Sequence, residues 1–224
     1  MRGALRIIKP YIKYNKKFEK ASWDEVYNII KSKIKNTDKD KICGFIGDLT
    51  NMETSFIFKE FFDRTIGTNK YESRTSKSFI DNSARENYLF NSTINGIEEA
   101  DLILLVGANP RFEATIVNAR IRKAFLNNSV KIISLNDVGD LTYTYKFLDG
   151  KTKTIKDITE NKNEVSKDII DSKKPMIILG ESFLNAKSAN YLFYSFKNFL
   201  LKNNKFTDEW NPLNILSTDP ATVG

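Results

Sequence analysis

The chain has 224 residues, 41% hydrophobic and 28% charged, which supplies a substantial core and argues against disorder. Its net charge of +7, from 35 basic and 28 acidic residues, is modest and reads as spread along the chain, with no basic, aromatic-rich cluster of nucleic-acid-binding quality. There is no histidine and one cysteine, Cys43, which excludes an internal disulfide or a four-thiolate iron–sulfur or zinc site and removes the usual general base.

The opening, Met1-Arg2-Gly3-Ala4-Leu5-Arg6, is basic but leads into Ile7-Ile8-Lys9-Pro10 without the apolar core of a secretory signal. Tyr11-Ile12-Lys13-Tyr14-Asn15-Lys16-Lys17 comes nearest to a nucleic-acid contact and reads more simply as a solvated strand or loop. Ser22-Trp23-Asp24-Glu25 is a capping box, and the helix it starts aligns Trp23, Val26, Tyr27, Ile30 and Ile34 as a core-facing stripe. Ile42 to Ile46 reads as a strand in which Cys43 is a buried structural thiol. Asn51 caps a helix that turns Phe58, Phe61 and Phe62 inward, with Gly67 just past its end. Lys70 to Asn95 is aperiodic, with a short strand near Tyr71, and reads as a long connection.

Leu102 to Val106 is a continuous apolar run, the mark of a parallel strand covered on both faces. Gly107 permits a sharp turn, Asn109 suits a helix cap, and Pro110 sits where a helix start tolerates a missing N–H. Such a strand–loop–helix junction is a potential anion site, because unpaired N–H groups converge there. Val117, Ile121, Ala124 and Phe125 form the inner stripe of the next helix, with Arg120, Arg122 and Lys123 assigned to its last turns. Val130 to Leu135 is a strand, Leu141 to Tyr145 alternates like an exposed-face strand, and Lys156 to Ser172 is polar and helical. Pro175 to Leu179 and Gly180 repeat the strand–glycine signature, and the helix after them buries Ala189, Leu192, Phe193, Phe196 and Leu200. Trp210 to Leu216 leads into a tail containing Pro220, and no apolar run approaches the ~20 residues of a membrane span.

The alternation defines an α/β fold, a mainly parallel sheet with flanking helices, read as one partial domain over residues 1–224. The sequence supplies no terminal helix or strand after residue 216 to finish the sheet, so the expectation is a larger domain completed by other polypeptide.

Gly107-Ala108-Asn109-Pro110-Arg111-Phe112-Glu113-Ala114, continued by Val117-Asn118-Ala119-Arg120-Ile121-Arg122-Lys123, resembles the large iron–sulfur subunit family (75 kDa or G) of respiratory complex I. The likeness extends in order through Ala21 to Glu25, Thr93 to Asp101, Asp140 to Tyr145, Lys174 to Met176 with Leu179-Gly180, and Trp210 to Leu216. It implies part of a C-terminal molybdopterin-oxidoreductase-like domain, lacking the cysteine-rich N-terminal part that holds the family's iron–sulfur clusters.

The Asn109-Pro110 loop is similar to one that holds part of the nucleotide cofactor in true molybdopterin enzymes. Arg111-Phe112-Glu113-Ala114 is the pattern of the complex I branch, whose mitochondrial members the resemblance implies bind no molybdenum cofactor. No metal ligand is assigned, so Gly107, Asn109, Pro110 and Arg111 are candidates for a vestigial nucleotide loop, with Asn109 as a turn and helix cap. Arg111, Glu113, Arg120 and Arg122 read as surface ion pairs, worth ~0–1 kcal/mol each.

The resemblance thus implies a structural segment of the NADH-oxidising peripheral arm, on the mitochondrial matrix side, with no cofactor, metal or catalytic residue of its own. Iron–sulfur clusters and FMN belong to neighbouring subunits. The partners it implies are the iron–sulfur N-terminal part of the same subunit, a completing C-terminal fragment and the NADH/FMN-binding subunits, without nucleic acid or membrane insertion. Lys-, Asn-, Ile- and Phe-rich usage fits an AT-rich, mitochondrion-encoded gene. The rival reading is a fragment of a catalytic molybdopterin oxidoreductase; a basic nucleic-acid binder is a weaker third.

Overall fold

A computed structural model describes residues 7–47, 49–73 and 77–218; the basic opening at 1–6 and the Pro220 tail lie outside them. The chain divides into two compact units, with the division in the sequence falling between residues 75 and 76.

In the first unit, β1 (Tyr11–Tyr14) and β2 (Lys17–Lys20) form an antiparallel hairpin. Its two-residue turn places Asn15 and Lys16 at φ 45° and 69°, the left-handed pair that matches strand twist. Helix α1 (Trp23–Lys35) starts on the expected capping box: Ser22 Oγ accepts from the Glu25 N–H, and Glu25 Oε2 accepts from the Ser22 N–H at 2.7 Å. The stripe is not core, however: α1 buries no residue, and Trp23, Tyr27 and Ile30 are exposed.

The predicted strand shrinks to β3 (Gly44–Phe45), and Cys43 is exposed, not buried. Alternation explains part of this outcome: Gly44 packs against the rings of Phe58 and Phe62, so its neighbour Phe45 points to the opposite face and lies open. Helix α2 (Met52–Glu60) is capped by Asn51 as expected, widens into a π-type turn over Phe61–Ile66, and ends at Gly67 with φ 74°. Phe62 is buried and Phe61 is exposed. Strand β4 (Tyr71–Glu72) lies parallel to β3.

The second unit holds the main core. After the one-turn helix α3 (Thr93–Gly96), β5 (Leu102–Val106) leads through α4 (Pro110–Glu113) into α5 (Thr115–Asn128). Then follow β6 (Lys131–Ser134), β7 (Lys146–Phe147), α6 (Thr152–Thr159), α7 (Glu164–Asp171), β8 (Pro175–Leu179), α8 (Glu181–Leu184), α9 (Ala189–Lys202) and β9 (Leu213–Ile215). The five strands make one parallel sheet in the order β7-β6-β5-β8-β9.

Both faces of the sheet are covered by this chain. Leu102, Leu104 and Val106 join Ile177, Leu179, Ile158, Ile169, Phe193 and Phe196 in one core. Ile103 and Leu105 join Met176, Ile178, Val117, Ile121, Leu141 and Trp210 in the other. At the β9 edge, the Ile215 N–H donates to the Leu89 carbonyl at 3.0 Å, and Asn214, fully buried, accepts from the Ser92 N–H and donates to the Ser92 hydroxyl. The connection after residue 76 is ordered in the same way: Phe79 packs on Phe193, and Asp81 accepts from Tyr194 and Asn87.

Three further expectations change. Leu141 to Tyr145 is not a strand; Leu141 and Tyr143 plug the core beside α5, and the Tyr143 hydroxyl donates to Asn118 Oδ1 at 2.9 Å. The polar helix splits at residues 160–163 so that Ile155 and Ile158 on one half, and Val165 and Ile169 on the other, all reach the core. Arg120, Arg122 and Lys123 lie in the middle of α5 rather than its last turn, where Arg120 and Lys123 share Glu98.

Asp101, entering β5, ties that strand to β8 by accepting from the Ser172 hydroxyl and the Lys173 and Lys174 N–H groups. Partial burial pushes its carboxyl up, but those donors outweigh it and hold it below the ordinary aspartate value of 3.8. A depressed acid contributes stability above its unfolded value and loses that contribution as pH falls. Asp101→Asn is therefore expected to cost about 1 kcal/mol at pH 7, allowing for solvent screening, with the gap closing in chemical melts taken progressively below the unfolded value.

Candidate functional site at the β5–β8 switch point

The sheet order places a reversal between β5 and β8: the chain moves outward through β6 and β7, then returns to β8 and continues to β9. In open parallel sheets ligands bind outside the carboxyl ends of strands at such a point. Gly107 and Gly180 stand there, each directly after its strand.

The two turns touch backbone to backbone. The Gly180 N–H donates to the Val106 carbonyl at 3.0 Å, and the Ser182 N–H to the Gly107 carbonyl at 3.1 Å. A side chain on Gly180 would come within 2.5 Å of Ala108 Cα, and one on Gly107, whose φ is +61°, would overlap the Phe183 backbone nitrogen. Both glycines are thus required by close approach, and the first also by its left-handed conformation.

The expected loop residues come together, with one change of role. Asn109 occupies the cap position of α4, with Pro110 at the first helical position, but its side chain makes no capping bond. Its Nδ2 donates instead to the Val138 carbonyl at 3.2 Å, and its backbone N–H donates to Glu113 Oε2 at 3.0 Å. The capping acceptor is the Glu113 carboxylate, folded back one turn. Glu113 is therefore not the surface ion pair expected of it.

Arg111 does form one, donating to both the side chain and carbonyl of Asp140. The Thr142 N–H, and then Arg111, hold the Asp140 carboxyl below its ordinary value. Arg120 pairs with Glu98, while Arg122 Nε donates to the Thr142 carbonyl.

These residues do not fit a phosphate. The Gly107 N–H is bound to Asn136 Oδ1 at 3.0 Å, that of Asn109 to Glu113, that of Ser182 to Gly107, and that of Phe183 to Gly180. These four donors are spent inside the protein, and the one at the start of α4 is taken by a carboxylate of the same chain. Asn109 Oδ1 is buried without a partner, but it is an acceptor and calls for a donor, not another oxygen anion. The adjoining cavity, walled by Gly107, Asn136, Ser182 and Phe183, is about 100 Å³. That holds a few waters and falls below the roughly 300 Å³ at which ligand pockets begin. Among the described residues, no three Cys, Asp or Glu side chains are gathered as metal ligands.

Sequence reasoning found Gly107, Asn109, Pro110 and Arg111 but missed Asn136, Phe183 and the returning carboxylate. Phe183 and Asn136 lie far along the chain from the loop, and only the register of β8 and β6 against β5 brings them near. The acidic residue four positions after Asn109 was the one local signal available.

With its switch point between paired strand–glycine turns, the chain belongs to the molybdopterin oxidoreductase family, whose model matches residues 6–224. Among curated proteins it is similar to the G subunit of the NADH-quinone oxidoreductase of Rickettsia bellii, 33% identical over 219 residues, 98% of this chain and 32% of the relative. The NADH-ubiquinone oxidoreductase 75 kDa subunit of Reclinomonas americana is 30% identical over 98% of this chain and 34% of its own length. The mitochondrial NADH-ubiquinone oxidoreductase 78 kDa subunit of Candida albicans is 33% identical over 97% of this chain and 31% of its own. The chain thus spans about a third of the length of these relatives.

Two variants test the site. Gly107→Ala, strained by its φ and by Phe183, is expected to lose about 2–4 kcal/mol in urea unfolding. Burial and, secondarily, the nearby Glu181 push the Glu113 carboxyl up, against the Asn109 N–H, from an ordinary 4.5. A raised acid costs stability as pH climbs past its unfolded value. Glu113→Gln keeps an acceptor for Asn109, so it is expected to melt above the parent at pH 7, with the two curves converging towards pH 4.

Proposed function

We propose that the chain is a structural segment of the NADH-oxidising peripheral arm of a respiratory complex I, on the matrix side of the mitochondrial inner membrane. It supports electron transfer from NADH to ubiquinone while neighbouring subunits hold the iron–sulfur clusters and FMN. Both units belong to one partial molybdopterin-oxidoreductase-like domain. The observation that carries the reading is the Gly107–Arg111 loop: the Asn109 N–H at its helix start is taken by the Glu113 carboxylate of the same chain. The names of the relatives support the assembly, and the chain's single thiol and lack of imidazole support the absence of a redox centre on it. Among the described residues no helix is long and apolar enough to cross a membrane, consistent with a peripheral position.

The alternative, a fragment of a catalytic molybdopterin oxidoreductase, is favoured by one observation, the unpartnered Asn109 Oδ1, an acceptor that an N–H of a nucleotide base would satisfy although a phosphate would not. Native electrophoresis of respiratory membranes, with in-gel NADH dehydrogenase staining and mass spectrometry, tests the first reading. The chain is expected in the stained band, with molybdenum far below one atom per assembly by elemental analysis. Its absence from that band overturns the reading; stoichiometric molybdenum there installs the alternative.

A further inference from the structure

The second unit draws two remote segments onto one carboxylate. Glu181 follows Gly180 directly, so it stands at the carboxyl end of β8 and opens α8. Its Oε1 accepts from the Ser78 hydroxyl at 2.5 Å and from Asn185 Nδ2 at 2.7 Å. Its Oε2 accepts from the Thr218 hydroxyl at 3.2 Å. Ser78 lies 103 residues before Glu181, and Thr218 lies 37 after it. A hydroxyl held by an ionised carboxylate at 2.5 Å is at the short, strong end of such contacts.

Each segment reaches the end of β8 by its own route. Next to Ser78, the Phe79 N–H donates to the Leu184 carbonyl at 2.8 Å, and the Phe79 ring packs on Phe193 with 5.6 Å between centroids. After β9, the Leu216 N–H still follows the sheet and donates to the Leu179 carbonyl at 2.9 Å. Glu181 joins the two segments beyond these anchors. It belongs to neither core cluster, and neither Ser78 nor Thr218 is buried, so the contact fixes position and fills no volume.

We propose that residues 78–79 and 216–218 form a strap across the carboxyl end of β8, with Glu181 as its latch. The strap hangs on side-chain hydrogen bonds and single backbone bonds, which places it among the parts of a structure that open locally. The strands beneath it are held by ladders and by apolar packing on both faces, and open only with the whole unit. Freeing the latch therefore releases both arms together and leaves the sheet closed. The inference rests on the second unit alone and is independent of the reading under Proposed function.

Hydrogen–deuterium exchange on the full chain tests it, comparing the parent with Glu181→Ala. Exchange at the Phe79 and Leu216 amides is expected to rise about fivefold or more in both, with β5 and β8 unchanged. A rise in one segment alone, or in neither, overturns the proposal. Should Glu181→Ala also loosen β5 and β8, the Ser78→Ala, Thr218→Val double variant decides, since it leaves the carboxylate in place and alters no buried residue. The same release of both segments is expected from it, and parent-like exchange overturns the proposal.

Discussion

The contact on which the second unit turns is the meeting of the Gly107 and Gly180 backbones. β5 and β8 are neighbours in the sheet along their whole lengths, from Leu102 beside Pro175 to Val106 beside Leu179. Each then has to leave the sheet within one residue, and the two exits share the same small volume. Two glycines and the buried Ala108 allow this; bulkier residues would force the strands apart and open the sheet at its centre. The hydrogen bonds from Gly180 to Val106 and from Ser182 to Gly107 then satisfy backbone groups that would otherwise face the crevice. The same closeness leaves beside Gly107 a cavity of only about 100 Å³.

Local signals in the sequence were reliable where a residue acts on its immediate neighbours. The Ser22–Glu25 capping box, the Asn51 cap, Gly67 as a left-handed stop and the apolar runs at 102–106 and 175–179 are all found in the structure. Each depends on backbone geometry within four residues or on burial of a continuous run. What failed was the inference from apolar pattern to burial. The α1 stripe has the spacing of a core helix, and Cys43 sits in an apolar run, yet both are exposed. Periodicity shows which residues share a face; it does not show whether the chain itself provides the surface that covers them.

Leu141 to Tyr145 failed in a different way. Alternation of buried and open side chains is real there, with Leu141 and Tyr143 inside and Thr142 and Thr144 outside. A strand also needs a ladder of backbone partners, and Thr142, at φ 73°, breaks the extended course. The buried ends are held by Asn118 instead, which accepts from Tyr143 and donates to the Leu141 carbonyl. The candidate loop shows the same limit. Its residues were legible because they are contiguous, whereas Asn136 and Phe183 reach it through strand register alone.

The two units differ in how they meet the cost of chain ordering, about 1–2 kcal/mol per residue for the backbone. The second unit offsets it with two cores on opposite faces of one sheet, and with polar networks such as Ser92–Asn214 that satisfy the groups it buries. The first offsets little of it from its own apolar surface, since among its described residues Phe62 stands almost alone inside. Its helices and hairpin are held chiefly by caps, turns and exposed i,i+4 pairs such as Arg64–Glu60, each contributing at most about 1–2 kcal/mol. Local order of that kind fixes the shape of a surface without making it independently stable.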